Sequence, residues 1–187
     1  MQVAHQIIRD AFSRKVITPG VTTTEDVLSC AVTDDPTVAA NWVSAGTLGS
    51  EDLGFESDSV VFNNLVLFSL GTDIMSYNGS KDDDWWTATV SGAALTTAKP
   101  HIMHVHRGGQ ETLVVTDGNK IRYYNATAGH SVITLDDSFT ASCLSSGVDA
   151  VWAGTYTEEG TQAYVYEFYI GEQLDGAPVA RRAYPVD

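Results

Sequence analysis

Apolar and polar positions fall into a pattern that occurs twice. Leu65-Val-Leu-Phe-Ser-Leu70 is nearly continuously apolar, Gly71-Thr72 breaks it, and Asp73-Ile-Met-Ser-Tyr77 alternates up to Asn78-Gly79. At an offset of 47 residues, without a gap, Thr112-Leu-Val-Val-Thr-Asp117 reaches Gly118-Asn119, and Lys120-Ile-Arg-Tyr-Tyr124 runs to Asn125-Ala126. Two runs of strand-like pattern joined by a short turn containing Gly predict a β-hairpin. A hairpin cannot bury its apolar face alone, and a unit of about 40–50 residues repeated in tandem is the spacing of propeller blades.

The flanking pattern predicts four strands per unit. The first unit takes 58–62, 65–70, 73–77 and 85–90, with Lys81-Asp82-Asp83-Asp84 as a solvated loop. The second takes 102–106, 113–116, 120–124 and 132–135. A third unit with altered spacing takes 141–144, 150–156, 161–170 and 179–184. The expected fold is therefore all-β, with propeller-like four-stranded antiparallel repeats over 55–187. About three units fall short of the four or more blades of a closed propeller. Such sheets present open edges, and edges invite pairing with other chains. The chain is therefore expected to be completed by further blades or by neighbouring subunits.

The first 54 residues read differently. Val3, Ile7, Ile8, Ala11 and Phe12 follow helical spacing and predict a helix over 2–15. Pro19-Gly20 predicts a turn, and Thr22 with Glu25 has the spacing of a capping box ahead of Val27 and Leu28. Residues 31–54, rich in Gly and Ser, read as a connector with one short helix or strand at 38–43. The helix, the Pro19-Gly-Val-Thr-Thr23 turn and the following helix resemble the opening of pita-bread metallopeptidases. The likeness covers about the first 30 residues and none of that family's metal ligands. The expected organisation is a helical arm and connector, 1–54, ahead of a β-repeat domain, 55–187.

Charge narrows the partners. The 24 acidic residues against 10 basic ones give a formal net charge of −14. Such a surface repels phosphate backbones and anionic membranes, so neither nucleic acid nor membrane is an expected partner. No apolar run approaches the ~20 residues of a membrane span, and Arg9, Asp10, Arg14 and Lys15 interrupt any secretory leader. Cys30 and Cys143 have neither metal nor redox spacing. They read as buried thiols.

The hairpin Leu113-Val-Val-Thr-Asp-Gly-Asn-Lys-Ile-Arg-Tyr-Tyr-Asn125, and Ala150-Val-Trp-Ala-Gly-Thr155 ahead of Tyr164-Val-Tyr-Glu-Phe168, resemble propeller blades in structural proteins of tailed phages and related viruses. The resemblance covers roughly 55–187. It implies a non-enzymatic structural or adhesion module of a virion, tail or capsid-associated, acting through contacts with other protein subunits and needing no cofactor.

Three constellations could carry chemistry. His104, His106 and Glu111 are the candidate metal ligands. Two His one residue apart, Glu five residues on and Gly118 seven after that match the spacing of the first cupin motif. A cupin-like metal-dependent enzyme is the alternative function. Alternation places His104 and His106 on one strand face, as ligation requires. The second cupin motif is missing after Gly118, and His130 lacks its context. Asp82-Asp83-Asp84 offers hard oxygen ligands without the spacing of a calcium loop. Trp85-Trp86 could offer one exposed ring to a sugar, making a carbohydrate-binding module the second alternative. Asn78-Gly-Ser80 and Asn125-Ala-Thr127 are sequons at equivalent repeat positions, which turn chemistry explains. No nucleophile elbow, phosphate loop or Ser/His/Asp grouping stands out.

Overall fold

The computed structural model describes residues 3–4, 8–9, 16–21, 28–33, 43–49, 58–78, 81–82, 84–97, 100–107, 110–136, 138–147, 150–157, 159, 162–169 and 179–186. The protein is mostly β, built from repeated four-stranded antiparallel sheets. It divides into two compact units, Met1–Ala94 and Leu95–Asp187.

In the first unit, β6 (Ser59–Phe62), β7 (Leu65–Leu70), β8 (Asp73–Tyr77) and β9 (Lys81–Asp82) form an antiparallel meander in chain order. In the second unit, β10 (Ile102–Arg107), β11 (Gln110–Asp117), β12 (Lys120–Asn125) and β13 (Gly129–Thr134) do the same. So do β14 (Phe139–Ser146), β15 (Val151–Thr157), β16 (Ala163–Tyr169) and β17 (Val179–Val186).

The two hairpins read from the sequence match rung for rung. Leu70 pairs with Asp73 across Gly71-Thr72, and Asp117 with Lys120 across Gly118-Asn119. Gly71 and Gly118 have φ of 52° and 58°, the left-handed conformation that a glycine-first two-residue turn requires and most side chains resist. A hydrogen-bond clamp recurs with them. The Ser69 hydroxyl accepts from the Asp58 N–H at 2.7 Å, and the Ser69 N–H donates to the Asp58 carbonyl at 2.9 Å. The Thr116 hydroxyl accepts from the His101 N–H at 2.8 Å, and the Thr116 N–H donates to the His101 carbonyl at 3.0 Å.

The core of the second unit lies between its two sheets. Val114, Ile121 and Tyr123 from one, Ala141, Leu144, Val151, Ala153 and Phe168 from the other, and Leu135 from the connection are all buried. Each large aliphatic or aromatic side chain so buried contributes roughly 1.5–3 kcal/mol. An aromatic row on β16 extends this face, with Tyr166 stacked on Phe168 at 6.2 Å and Phe139 edge-on to Tyr164 at 5.0 Å.

The helical arm is corrected. Where the N-terminal segment is described it is strand: β1 (Val3–Ala4), β2 (Ile8–Arg9), β3 (Val16–Val21), β4 (Leu28–Thr33) and β5 (Val43–Gly49), paired in a fourth antiparallel sheet. Val3 and Ile8, assigned to a helical stripe, are β-branched and equally at home in strands. A short helix without a packed face is marginal, whereas pairing satisfies the backbone directly. Pro19-Gly20 is not a turn but part of β3. Proline has no N–H to donate. It is tolerated because β2 pairs with residues 16–17 and β1 with residues 20–21, so the gap between them falls beside Pro19. The helix expected after Thr22 and the segment 38–42 lie outside the described residues.

The strand expected at 85–90 is also corrected. Lys81–Asp82 is the fourth strand, and Trp86–Ser91 forms a single π-helical turn. The Gly92 N–H closes it on the Thr87 carbonyl at 2.9 Å, and the Ala88 N–H reaches the Asp84 carbonyl at 2.7 Å. The Asp73 carboxylate accepts from the Thr87 N–H at 3.2 Å and from the Thr87 hydroxyl. Adjacent strand residues point to opposite faces, but adjacent helical residues need not. The turn thus lets Trp85 and Trp86 be buried together.

Candidate functional site

The constellation predicted from sequence comes together at the tip of the β10–β11 hairpin. His104 and His106 lie two apart on β10 and share a face. Glu111 stands directly opposite His106 on β11, which puts it on the same face. The atoms through which these three side chains could ligate a metal all lie within 4.8 Å of one another. Among the described residues, no other such group of three His, Cys, Asp or Glu forms.

The site is graded in exposure. His104 and Glu111 are half-buried and His106 is exposed. His106 Nδ1 is 3.8 Å from Glu111 Oε1, and the rings of His104 and His106 meet edge to face. Burial pulls the His104 pKa below its ordinary value. The Glu111 charge opposes this and a charge on His106 reinforces it. His104 is thus biased toward the neutral imidazole that a metal would need. Asn125 fixes the backbone beneath Glu111. Its amide donates to the Glu111 carbonyl at 3.0 Å, while its Oδ1 accepts from the N–H groups of Thr127 and Ala128 at 2.8 and 3.2 Å.

The extra histidine of a cupin-type site is not part of this group. His104 pairs with Leu113, Leu113 with Tyr124 and Tyr124 with His130. His130 is therefore three strand spacings, about 14 Å, across the sheet. Burial first, and then the Arg122 charge, lower its pKa. His101 sits before β10 and serves the Thr116 clamp through its backbone.

Other candidates resolve differently. Trp85 and Trp86 are both buried, so the pair presents no stacking platform for a sugar. Asp82 is half-buried and Asp84 exposed, while Asp83 lies outside the described residues. Cys143 is exposed rather than buried. A register shift between Ala141 and Cys143 turns two successive residues, Ser142 and Cys143, outward. The side chain of Cys30 is outside the description. At the second sequon Asn125 is 7% exposed and its amide is engaged.

Sequence reasoning missed a buried charge cluster at the Gly118 turn. Asp117 is fully buried and accepts from the Arg122 Nε, from the N–H and hydroxyl of Thr96, and from the Thr97 N–H at 3.1 Å. Burial alone would raise the Asp117 pKa. The hydrogen bonds from Thr96 and Arg122, with the Arg122 charge, outweigh it and hold the carboxyl below its ordinary value. Its signal was present in Thr116-Asp-Gly-Asn119, which reads equally as plain turn chemistry. No model of a known protein family matches the chain, and no characterised protein matches it.

Proposed function

We propose that this chain is a non-enzymatic structural or adhesion module of propeller-like repeats that acts by protein–protein contact within an assembly, of the kind found in tailed-phage particles. One observation carries the assembly reading: the outer edge of β13. This strand pairs with β12 on one side and with no other strand on the second side among the described residues. Ser131, Val132 and Thr134 are exposed, Val132 at 40%. Gly129-His-Ser-Val-Ile-Thr134 contains no proline and no formally charged residue.

Natural edge strands are blunted by charge, proline, bulges or brevity. Most other edges of the repeat sheets carry such devices: Arg107 on β10, a bulge in β14, Arg181, Arg182 and Pro185 on β17, and a length of two residues in β9. The β6 edge, Ser59-Val-Val-Phe62, is uncharged as well but offers only four residues against the six of β13. An unblunted edge is a template for strand addition by a partner. The phage setting rests on the sequence resemblance alone.

Sedimentation of the full chain from low to tens of micromolar tests the assembly reading. The wild type is expected to self-associate, and Val132→Lys to return it to monomer. A monomer throughout, with β13 amides protected from hydrogen exchange, would refute it.

A further inference from the structure

The repeat supplies its own control for the histidine cluster. Phe62 pairs with Leu65 in the first unit, and its counterpart in the second is Val105 with Thr112, at the same 47-residue offset on the inner strand. The first hairpin ends there, with two residues, Asn63 and Asn64, joining its strands. The second continues for two further rungs, His106 with Glu111 and Arg107 with Gln110, before its Gly108-Gly109 connection. One rung below, His104 opposite Leu113 replaces Val61 opposite Val66. The sheet therefore forms without these polar residues. Two of the three stand on rungs that the repeat does not need.

Geometry and donor chemistry then select the ligand. In a tetrahedral zinc site, donors about 2.0–2.2 Å from the ion are roughly 3.3 Å apart. Closing from within 4.8 Å to that spacing needs only side-chain rotation, and His106 at the exposed tip has room for it. Two imidazoles and one carboxylate suit a borderline first-row divalent cation rather than Ca²⁺ or Mg²⁺, which prefer oxygen alone. The strand faces bring all three donors to one side of one hairpin, so no second chain is needed. We infer that His104, His106 and Glu111 form a three-ligand site for one Zn²⁺-class cation, with water in the remaining coordination position. The ion ties the two strands together at the tip. The site is a metal-binding feature added to the repeat and does not depend on the assembly reading.

Titration of the full chain with Zn²⁺ in excess Mg²⁺, and with Co²⁺ followed by its visible absorption, tests this. One ion per chain is expected, with the ring resonances of His104 and His106 shifting and those of His101 and His130 unmoved. His104→Ala, His106→Ala and Glu111→Gln should each weaken Zn²⁺ binding by about tenfold or more, since even residues behind the ligands commonly cost that much. His130→Ala should leave it unchanged. Glu111→Gln is nearly isosteric, and the ring shifts need no variant, so the outcome does not hang on an unstable mutant. Absence of stoichiometric binding, loss of binding to Mg²⁺ as expected of a diffuse acidic surface, or retention in the ligand variants would each overturn the inference.

Discussion

Replacing Asp117 by Ala should be among the most damaging single changes in the second unit. Its carboxylate is fully buried, and the Arg122 side chain it holds is only 13% exposed. The substitution leaves that guanidinium in the sheet without its counter-charge. It also takes the acceptor from the Thr96 N–H and hydroxyl and from the Thr97 N–H. Removing one partner of a buried ion pair costs about 3–5 kcal/mol. With a urea slope of about 2 kcal/mol per M, the unfolding midpoint should fall by about 1.5–2.5 M. Asp117→Asn keeps an acceptor but loses the charge, and should cost about 1–2 kcal/mol.

The pH dependence has a definite sign. The folded pKa of Asp117 is depressed, so its contribution is fully present above the ordinary carboxylate pKa and is lost as pH falls through the folded value. The advantage of wild type over Asp117→Asn should therefore hold at neutral pH and shrink in acid. Urea melts of the three proteins across that range measure this. A midpoint shift below about 0.5 M for Asp117→Ala, against the slope assumed above, would refute the claim that the cluster supports the sheet. An acid-independent advantage over Asn would refute its ionic character.

Ser69→Ala and Thr116→Val remove the hydroxyl half of equivalent clamps, and each should cost about 1 kcal/mol, because a half-buried N–H loses its acceptor while the backbone bond beside it remains; chemical melts showing one cost and not the other would break the structural equivalence of the repeats. Gly118→Ala should cost about 1–2 kcal/mol in the same assay, since φ is 58° and the added methyl meets only Thr96 Oγ1 at 3.4 Å, and Gly118→Asn should recover part of it.

What could be read in advance followed the physics of each signal. The central hairpins were legible because a period of two, a glycine turn and an internal copy all agree. The hairpin around Gly118 even carries its neighbours, since the Ala141 N–H bonds the Gly118 carbonyl at 2.8 Å. The histidine cluster was legible in part: alternation puts His104 and His106 on one face, and motif spacing pointed to Glu111, whose place on that face came only with the register that sets it opposite His106. The N-terminus misled because Val3 and Ile8 fit a helical stripe and a strand equally well, and pairing across the chain decided between them. Trp85-Trp86 misled because alternation assumes a strand, whereas the Asp73 carboxylate captures Thr87 and winds the chain. The Asp117–Arg122 contact was hidden because cross-strand neighbours of a turn residue are invisible until register is known.

The two added rungs at the β10–β11 tip also bear on how this chain can change over generations. A hairpin that lengthens at its end leaves every register beneath it untouched, so the Val105–Thr112 rung and all below it keep their partners. Growth or loss there requires no repacking of the core between the sheets. The tip is thus a position where the chain can acquire or discard side chains at little structural risk, while the clamp, the turn and the buried carboxylate at the opposite end of the same strands are bound to one another. One end of the sheet is free to vary, and the other is held fixed.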